Sequence, residues 1–195
     1  MLIVLTGIDG SGKSTAARAL VSAAQAEGRN ALLLSNHAGR RSMSLLAQRL
    51  GIQWPRRLAD AAETTLRLVN VLISHAKASR FEGLVVMDRH LHCQLALRTA
   101  KGLPRGRLLP WLLSVLPAPD AVVHLDVEPA SAHQRIVARG TDMETLEDLE
   151  ALRAAYRSMP EFPGFVPLDA DCPPAEVVAR LAWIVGKETA AAVSC

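Results

Sequence analysis

The stretch Gly7-Ile8-Asp9-Gly10-Ser11-Gly12-Lys13-Ser14 constrains this chain more than any other. It satisfies G-x-x-x-x-G-K-[ST] at every fixed position, directly after the apolar run Leu2–Leu5 and ahead of a helical pattern. Glycines let consecutive backbone N–H groups turn inward around phosphate oxygens, with no Cβ in the way. A helix beginning near Lys13 adds its positive end. Lys13 then reaches the β- and γ-phosphates of a nucleoside triphosphate, and the Ser14 hydroxyl ligates Mg²⁺. Gly7, Ile8, Asp9, Gly10, Ser11, Gly12, Lys13, Ser14 and Thr15 form the expected ATP-binding segment. An accidental glycine-rich turn has no reason to sit between such a strand and such a helix.

The rest of the chain repeats that alternation. Leu2–Thr6, Ala31–Ser35, Leu84–Asp88, Ala121–Asp126 and Phe165–Leu168 read as strands. Three of them are almost continuous Leu, Ile, Val and Met, the pattern of strands covered on both faces. Helical patterns run over Ser14–Glu27, Ala59–Ser79, Pro129–Arg139, Leu146–Tyr156 and Pro174–Val185. In Ala59–Ser79, Leu66, Val69, Leu72 and Ile73 share one apolar side. The expected fold is α/β, a five-stranded parallel sheet covered by helices on both faces, of the phosphate-loop NTPase kind. Its ligands lie beyond the carboxyl ends of the strands. At 195 residues the chain reads as one nucleotide kinase-like domain, 1–195.

Charge and composition narrow the partners. A net charge of +3 gives no reason to expect nucleic acid, yet suits small anionic ligands. The apolar stretch Leu66–Ile73 is interrupted by Arg67 and Asn70, so no membrane span is expected. Cys93, Cys172 and Cys195 are odd in number and lack metal-site spacing, which reads as a reducing cytoplasm. His37, His90, His92 and His124 show no zinc spacing and read as surface or satisfied core groups. The basic stretch Arg98, Lys101, Arg105 and Arg107, interspersed with Gly102, Pro104 and Gly106, reads as a mobile, solvated loop, and Arg40-Arg41 and Arg56-Arg57 as solvated charges.

The loop's wording is narrower than the general pattern. Gly7–Thr15, GIDGSGKST, resembles the thymidylate kinase loop G-x-D-G-x-G-K-S-T. Asp88-Arg89-His90 resembles that family's D-R-Y, and Pro119-Asp120 with Val122–Pro129 is similar to its P-D-x-x-x-x-L-D-v-x-P. Arg135–Gly140 and Arg153-Ala154-Ala155-Tyr156 look like its lid approach and following helix, and Leu168-Asp169-Ala170 like its last strand. The resemblance implies a cytoplasmic nucleoside monophosphate kinase of nucleotide biosynthesis, using Mg-ATP, with dTMP as first acceptor. A nucleoside or other small molecule as acceptor, and a non-transferring nucleotide switch, are the alternatives. The family includes homodimers, and a short lid is expected near 136–148.

Phosphoryl transfer needs cations and a positioned acceptor more than a nucleophile. Lys13, Asp88, Arg89 and Arg139 are the expected catalytic residues. Arg89 clamps the acceptor phosphate, while Asp88 holds Mg²⁺ through water or orients the acceptor. The plainer reading of Asp88, given less weight, is a strand-end cap or an ion pair with Arg89 or Lys13. By resemblance Asp9 contacts the acceptor sugar; its plainer reading is a turn residue. The resemblance implies an arginine near the transferring phosphate, from the loop or the lid; the loop has none, which leaves Arg139 and Arg135, each equally readable as a solvated helix residue. Asp126 reads as structural.

The acceptor half departs from the family. Aligned from Glu63, Arg67 stands where a phenylalanine stacks on thymine, and Val71 where an arginine reads the base. Leu97 replaces the tyrosine that selects deoxyribose, Arg98 the adjacent glutamine, His90 a tyrosine and Cys93 a serine. Ser35–Arg40 keeps little of R-E-P-G-G-T. Asp9, Arg67, Arg89, Leu97 and Arg98 are thus the expected acceptor contacts. Loss of polar readers predicts loss of discrimination rather than simple weakening.

Overall fold

The structure is a computed structural model describing residues 1–36, 55–140 and 144–193, with backbone only at 56, 57, 59 and 188–193. His37–Arg41 and Cys195 therefore lie outside the described residues, as do the Arg56 and Arg57 side chains and residues 141–143 of the expected lid. Five strands form one sheet: β1 (Leu2–Thr6), β2 (Ala31–Ser35), β3 (Leu84–Asp88), β4 (Ala121–Asp126) and β5 (Val166–Asp169). Their order is β2-β3-β1-β4-β5, every pair parallel. β1, β3 and β4 are central and carry the most continuously apolar sequences, because helices cover both faces. Register aligns the carboxyl ends, with Asp88 level with Leu5 on one side and Ser35 on the other. The phosphate loop emerges at that edge, where the strand order changes direction.

Seven helices lie among the described residues: α1 (Lys13–Ala26), α2 (Arg56–Ala78), α3 (Leu91–Ala100), α4 (Leu108–Val115), α5 (Pro129–Arg139), α6 (Leu146–Arg157) and α7 (Pro174–Val193). Pro129 fits the first turn of α5, where its missing N–H costs nothing. Thr145 and Asp148 cap α6 reciprocally through a capping box. α1 buries Ala17, Leu20, Val21 and Ala24 on the sheet, as its periodicity predicts.

Three features differ from the sequence reading. α3 and α4 were not anticipated; in α3 burial explains why, since Leu91 through Leu97 are all buried and no amphipathic period marks it. Three members of the basic stretch are paired rather than simply solvated, Arg98 with Asp60, Lys101 with Glu63 and Arg105 with Glu161, while Arg107 is exposed as expected. Finally, the apolar side of α2 faces outward. Leu66, Val69, Leu72 and Ile73 are 40–48 % exposed, whereas Asp60, Glu63, Arg67, Ser74 and His75 are buried. The inward polar stripe finds its partners in Gln94, Arg98 and Lys101 on or just beyond α3 and in Asn36 and His90 at the strand ends. A helix with its polar side inward lines a site rather than an oily core.

Candidate active site

The phosphate loop is held by the elements around it. A Cβ at Gly7 would lie 2.5 Å from the Leu125 carbonyl oxygen, and one at Gly10 equally close to that of Ala132. Both residues also have positive φ, 137° and 82°. Glycine is needed there for conformation and for close approach to β4 and α5. Lys13 is 3 % exposed, and its Nζ donates to the Ile8 carbonyl at 2.6 Å and to Ser11 Oγ at 3.2 Å. Burial lowers its pKa, helped by the charge of Arg89 and opposed by Asp9 and Asp88. An incoming phosphate supplies the anionic partner that this buried ammonium favours.

β3 delivers the next two groups. Ser14 Oγ donates to Asp88 Oδ2 at 2.5 Å, while Asp88 Oδ1 is buried without a hydrogen-bond partner. A hydroxyl beside a buried carboxylate with one unused oxygen suits a hard divalent cation, held directly or through its water. Arg89 follows in a left-handed conformation, φ 75°, which is uncommon for a residue with a side chain. Its guanidinium pairs with Asp9, joining the strand end to the loop. Asp9, foremost, raises the Arg89 pKa against the opposing effect of burial, so the guanidinium stays charged. Asp9 thus bridges loop and strand end, beyond a simple turn role.

Other expected residues divide into two groups. Arg67 is 2 % exposed on the inner side of α2. The Tyr156 phenol is pushed up by burial foremost, then by Cys93, with Arg89 and Arg67 opposing, so these four side chains occupy one neighbourhood. Tyr156 itself is a site neighbour that sequence reasoning placed only by family order. Leu97 is buried in the last turns of α3. Arg98 is not brought to that neighbourhood: its guanidinium is committed to Asp60 and to the Pro104 carbonyl. Val71 is fully buried, so nothing polar stands where the family's base-reading arginine does.

Arg139 and Arg135 line a cavity of about 210 Å³ on the other side of the loop, together with Gly10, Gly12, Thr15 and the apolar surface of Val177. Arg135 also donates to the Ala170 carbonyl at 3.0 Å. Such a cavity, open to the phosphate loop and bordered by guanidinium planes, suits a nucleoside. Asp126 is structural, accepting from Arg153 at 2.8 Å and from Arg157 at 2.7 Å. That network draws α6 onto the end of β4. Asn36 and Ser74 had no assigned role in the sequence reading; a polar residue just after β2, beside Asp88, was the available signal.

Three histidines, His75, His90 and His92, form a buried row, and His124 is buried apart from it. His75 Nε2 meets His90 Nε2 at 2.9 Å, His90 Nδ1 meets His92 Nδ1 at 3.3 Å, and His124 Nδ1 meets Thr6 Oγ1 at 3.2 Å. Burial pushes His92 and His124 down to about 4, and His90 well below its ordinary value. These rings stay neutral in the folded chain while the unfolded chain protonates near pH 6.5, so stability falls as pH drops from 6.5 towards 4. We expect unfolding free energy to be about 4 kcal/mol lower at pH 5 than at pH 7.5, from roughly 1.4 kcal/mol per pH unit for each of His92 and His124 below pH 6.5. Urea titrations at the two values measure it, and equal midpoints would refute the neutral-ring reading.

With this geometry established, comparison with known proteins is decisive. A model of the thymidylate kinase family matches residues 5–181, nearly the whole chain. This chain belongs to the thymidylate kinase family. The "Thymidylate kinase" of Xanthomonas oryzae pv. oryzae is 32% identical over 179 residues, covering 87% of this chain and 76% of that protein. Its counterpart in Xanthomonas campestris pv. campestris is 33% identical over the same length. The "Probable thymidylate kinase" of Pyrobaculum calidifontis is 30% identical over 200 residues, covering 97% of this chain and 98% of that protein. Family members are ATP-dependent nucleoside monophosphate kinases, and the five-stranded parallel sheet with its phosphate loop is the fold this membership requires.

Proposed function

We propose that this thymidylate kinase family member moves the γ-phosphate of Mg-ATP to a nucleoside monophosphate, dTMP foremost, giving dTDP and ADP. The observation that carries the reading is the continuous link from loop to strand end, Ser14 to Asp88 and Asp9 to Arg89. It brings the groups that hold the triphosphate beside a cation able to hold a second phosphate. The names of the similar proteins support dTMP as acceptor.

In this mechanism the loop amides and Lys13 hold the β- and γ-phosphates, and Arg135 borders the nucleoside of ATP. Arg89 leaves Asp9 to meet the acceptor phosphate, freeing the Asp9 carboxylate for the acceptor's sugar hydroxyl. Ser14 and Asp88 would hold Mg²⁺, which when bound neutralises charge on the β- and γ-oxygens. Arg67 stacks on the acceptor base through its guanidinium plane and Leu97 adds apolar surface; Arg98 acts from behind by fixing α2 to α3. Residues 1–195 work as one domain, and the segment near 136–148 serves as the lid that carries Arg139 to the transferring phosphate and excludes water.

The exposed apolar stripe Leu66, Val69, Leu72 and Ile73 supports homodimer formation through α2. No helix among the described residues is long and apolar enough to cross a membrane. With small anionic ligands as substrates, that fits a cytoplasmic enzyme acting on nucleotides rather than on nucleic acid.

Titration calorimetry tests the acceptor. We expect thymidine to bind at least about 10-fold more weakly than dTMP, because a charge-assisted phosphate contact contributes about 1.5–3 kcal/mol. Equal or tighter thymidine binding would overturn the monophosphate reading and favour a nucleoside acceptor, as the absence of a polar group at Val71 would then suggest.

A further inference from the structure

We propose that Asn36 is a positioning residue for Arg89, locking its left-handed backbone and tying it to α2; this rests on the reading of Arg89 as the acceptor clamp. Asn36 is fully buried just beyond β2, and its backbone N–H donates to the Asp88 carbonyl at 2.9 Å. Its side-chain Nδ2 donates to the Arg89 carbonyl at 2.7 Å, and its Oδ1 accepts from Ser74 Oγ, also at 2.7 Å. The orientation of the amide follows from chemistry. A carbonyl oxygen only accepts, so the NH₂ group must face Arg89, leaving Oδ1 for the hydroxyl.

Arg89 needs such a device. At φ 75° a residue with a Cβ sits in a sparsely populated region, and it stays there when its surroundings over-determine it. Relaxation to a right-handed conformation would turn the Arg89 carbonyl away from Asn36 and swing the guanidinium off the line between Asp9 and the acceptor site. The neighbouring residue is held from the same helix: Ser74 reaches Arg89 through Asn36, and His75 meets His90 directly at 2.9 Å. Arg67 lies two turns earlier on the same inward side of α2. The helix that presents Arg67 to the acceptor is therefore fastened to the turn that presents Arg89. Asn36 makes one rigid unit of the two halves of the acceptor site.

Asn36→Asp tests this, since it keeps the size and the acceptor for Ser74 but sets a carboxylate oxygen against the Arg89 carbonyl. We expect kcat with dTMP to fall about 30-fold or more, since displacements near 1 Å can cost about 100-fold. ATP affinity should stay within about twofold, because the loop is untouched. Ser74→Ala, which removes only the outer bond, should lower kcat about threefold to fivefold, in line with one lost neutral hydrogen bond. Hydrogen exchange gives a readout independent of turnover: peptides covering Asp88–His90 should exchange faster in Asn36→Asp, with those covering Gly7–Ser14 unchanged. A merely structural role predicts lower thermal stability, unchanged kcat per ATP-binding site and no selective exchange at Asp88–His90. That result would overturn the proposal. If the wild-type chain fails to phosphorylate dTMP, the transfer reading fails separately, and the exchange comparison still decides whether Asn36 holds the turn.

Discussion

Lys13→Ala is expected to lower kcat by about 10³-fold while leaving the fold at least as stable. The first half follows from electrostatics: removing one preorganised donor from a developing anionic centre costs about 3–4 kcal/mol, and Lys13 contributes a full charge. The second half follows from burial. The ammonium is nearly fully enclosed, and its hydrogen-bond partners are the Ile8 carbonyl and Ser11 Oγ. Its removal relieves a desolvation cost, and Ile8 O keeps the Ser11 N–H at 3.2 Å. Steady-state kinetics with a thermal melt checks both halves. A large loss of melting temperature alongside lost activity would show that Lys13 chiefly supports the fold.

Substitution of Arg89 separates the side chain from the backbone. Arg89→Ala and Arg89→Gly both remove the guanidinium and leave Asp9 without this partner, so both should lose about 10³-fold in kcat/KM for dTMP, the lower range for a transferring-phosphate arginine. They should differ in stability. At φ 75° alanine carries the Cβ penalty and glycine does not, so Arg89→Gly is expected to be more stable than Arg89→Ala by about 1 kcal/mol. Denaturant unfolding of the pair measures this. Equal stabilities would mean that the turn relaxes once the side chain is gone, and equal activities with the wild type would remove Arg89 from the mechanism.

The sequence made the donor half legible because its chemistry is local. Eight consecutive residues, Gly7–Ser14, carry the loop, and an apolar strand and amphipathic helix on either side supply the context. The strands were readable for the same reason, down to a one-residue shift in β5. The proposed acceptor half draws on the loop, α2, the end of β3, α3 and α6, so no single stretch reveals it. The periodicity of α2 showed an apolar side at Leu66 and Ile73, yet periodicity cannot say which side faces inward. Its polar side does, because Gln94, Arg98, Lys101 and Asn36 are there to satisfy it. Arg98 illustrates the same limit: its place in family order suggested the acceptor, while its hydrogen bonds go to Asp60 and Pro104.

The substitutions at the acceptor site have a common physical consequence. Arg67 and Leu97 can hold a base by stacking and shape, but Val71 offers no hydrogen bond to its edge. The proposed phosphate clamp, Arg89, is untouched by these differences. On the proposed reading such a site would recognise a nucleoside monophosphate by its phosphate first and its base second, so discrimination among bases should be weaker than a base-reading arginine gives.

The most direct measurement incubates the chain with Mg-ATP labelled at the γ-phosphate and either dTMP or no acceptor, and identifies the labelled product. The account predicts label in dTDP, ADP formed in equal amount, and neither in the Lys13→Ala variant. ATP bound at the loop with no dTMP-dependent ADP and no labelled nucleotide would contradict it.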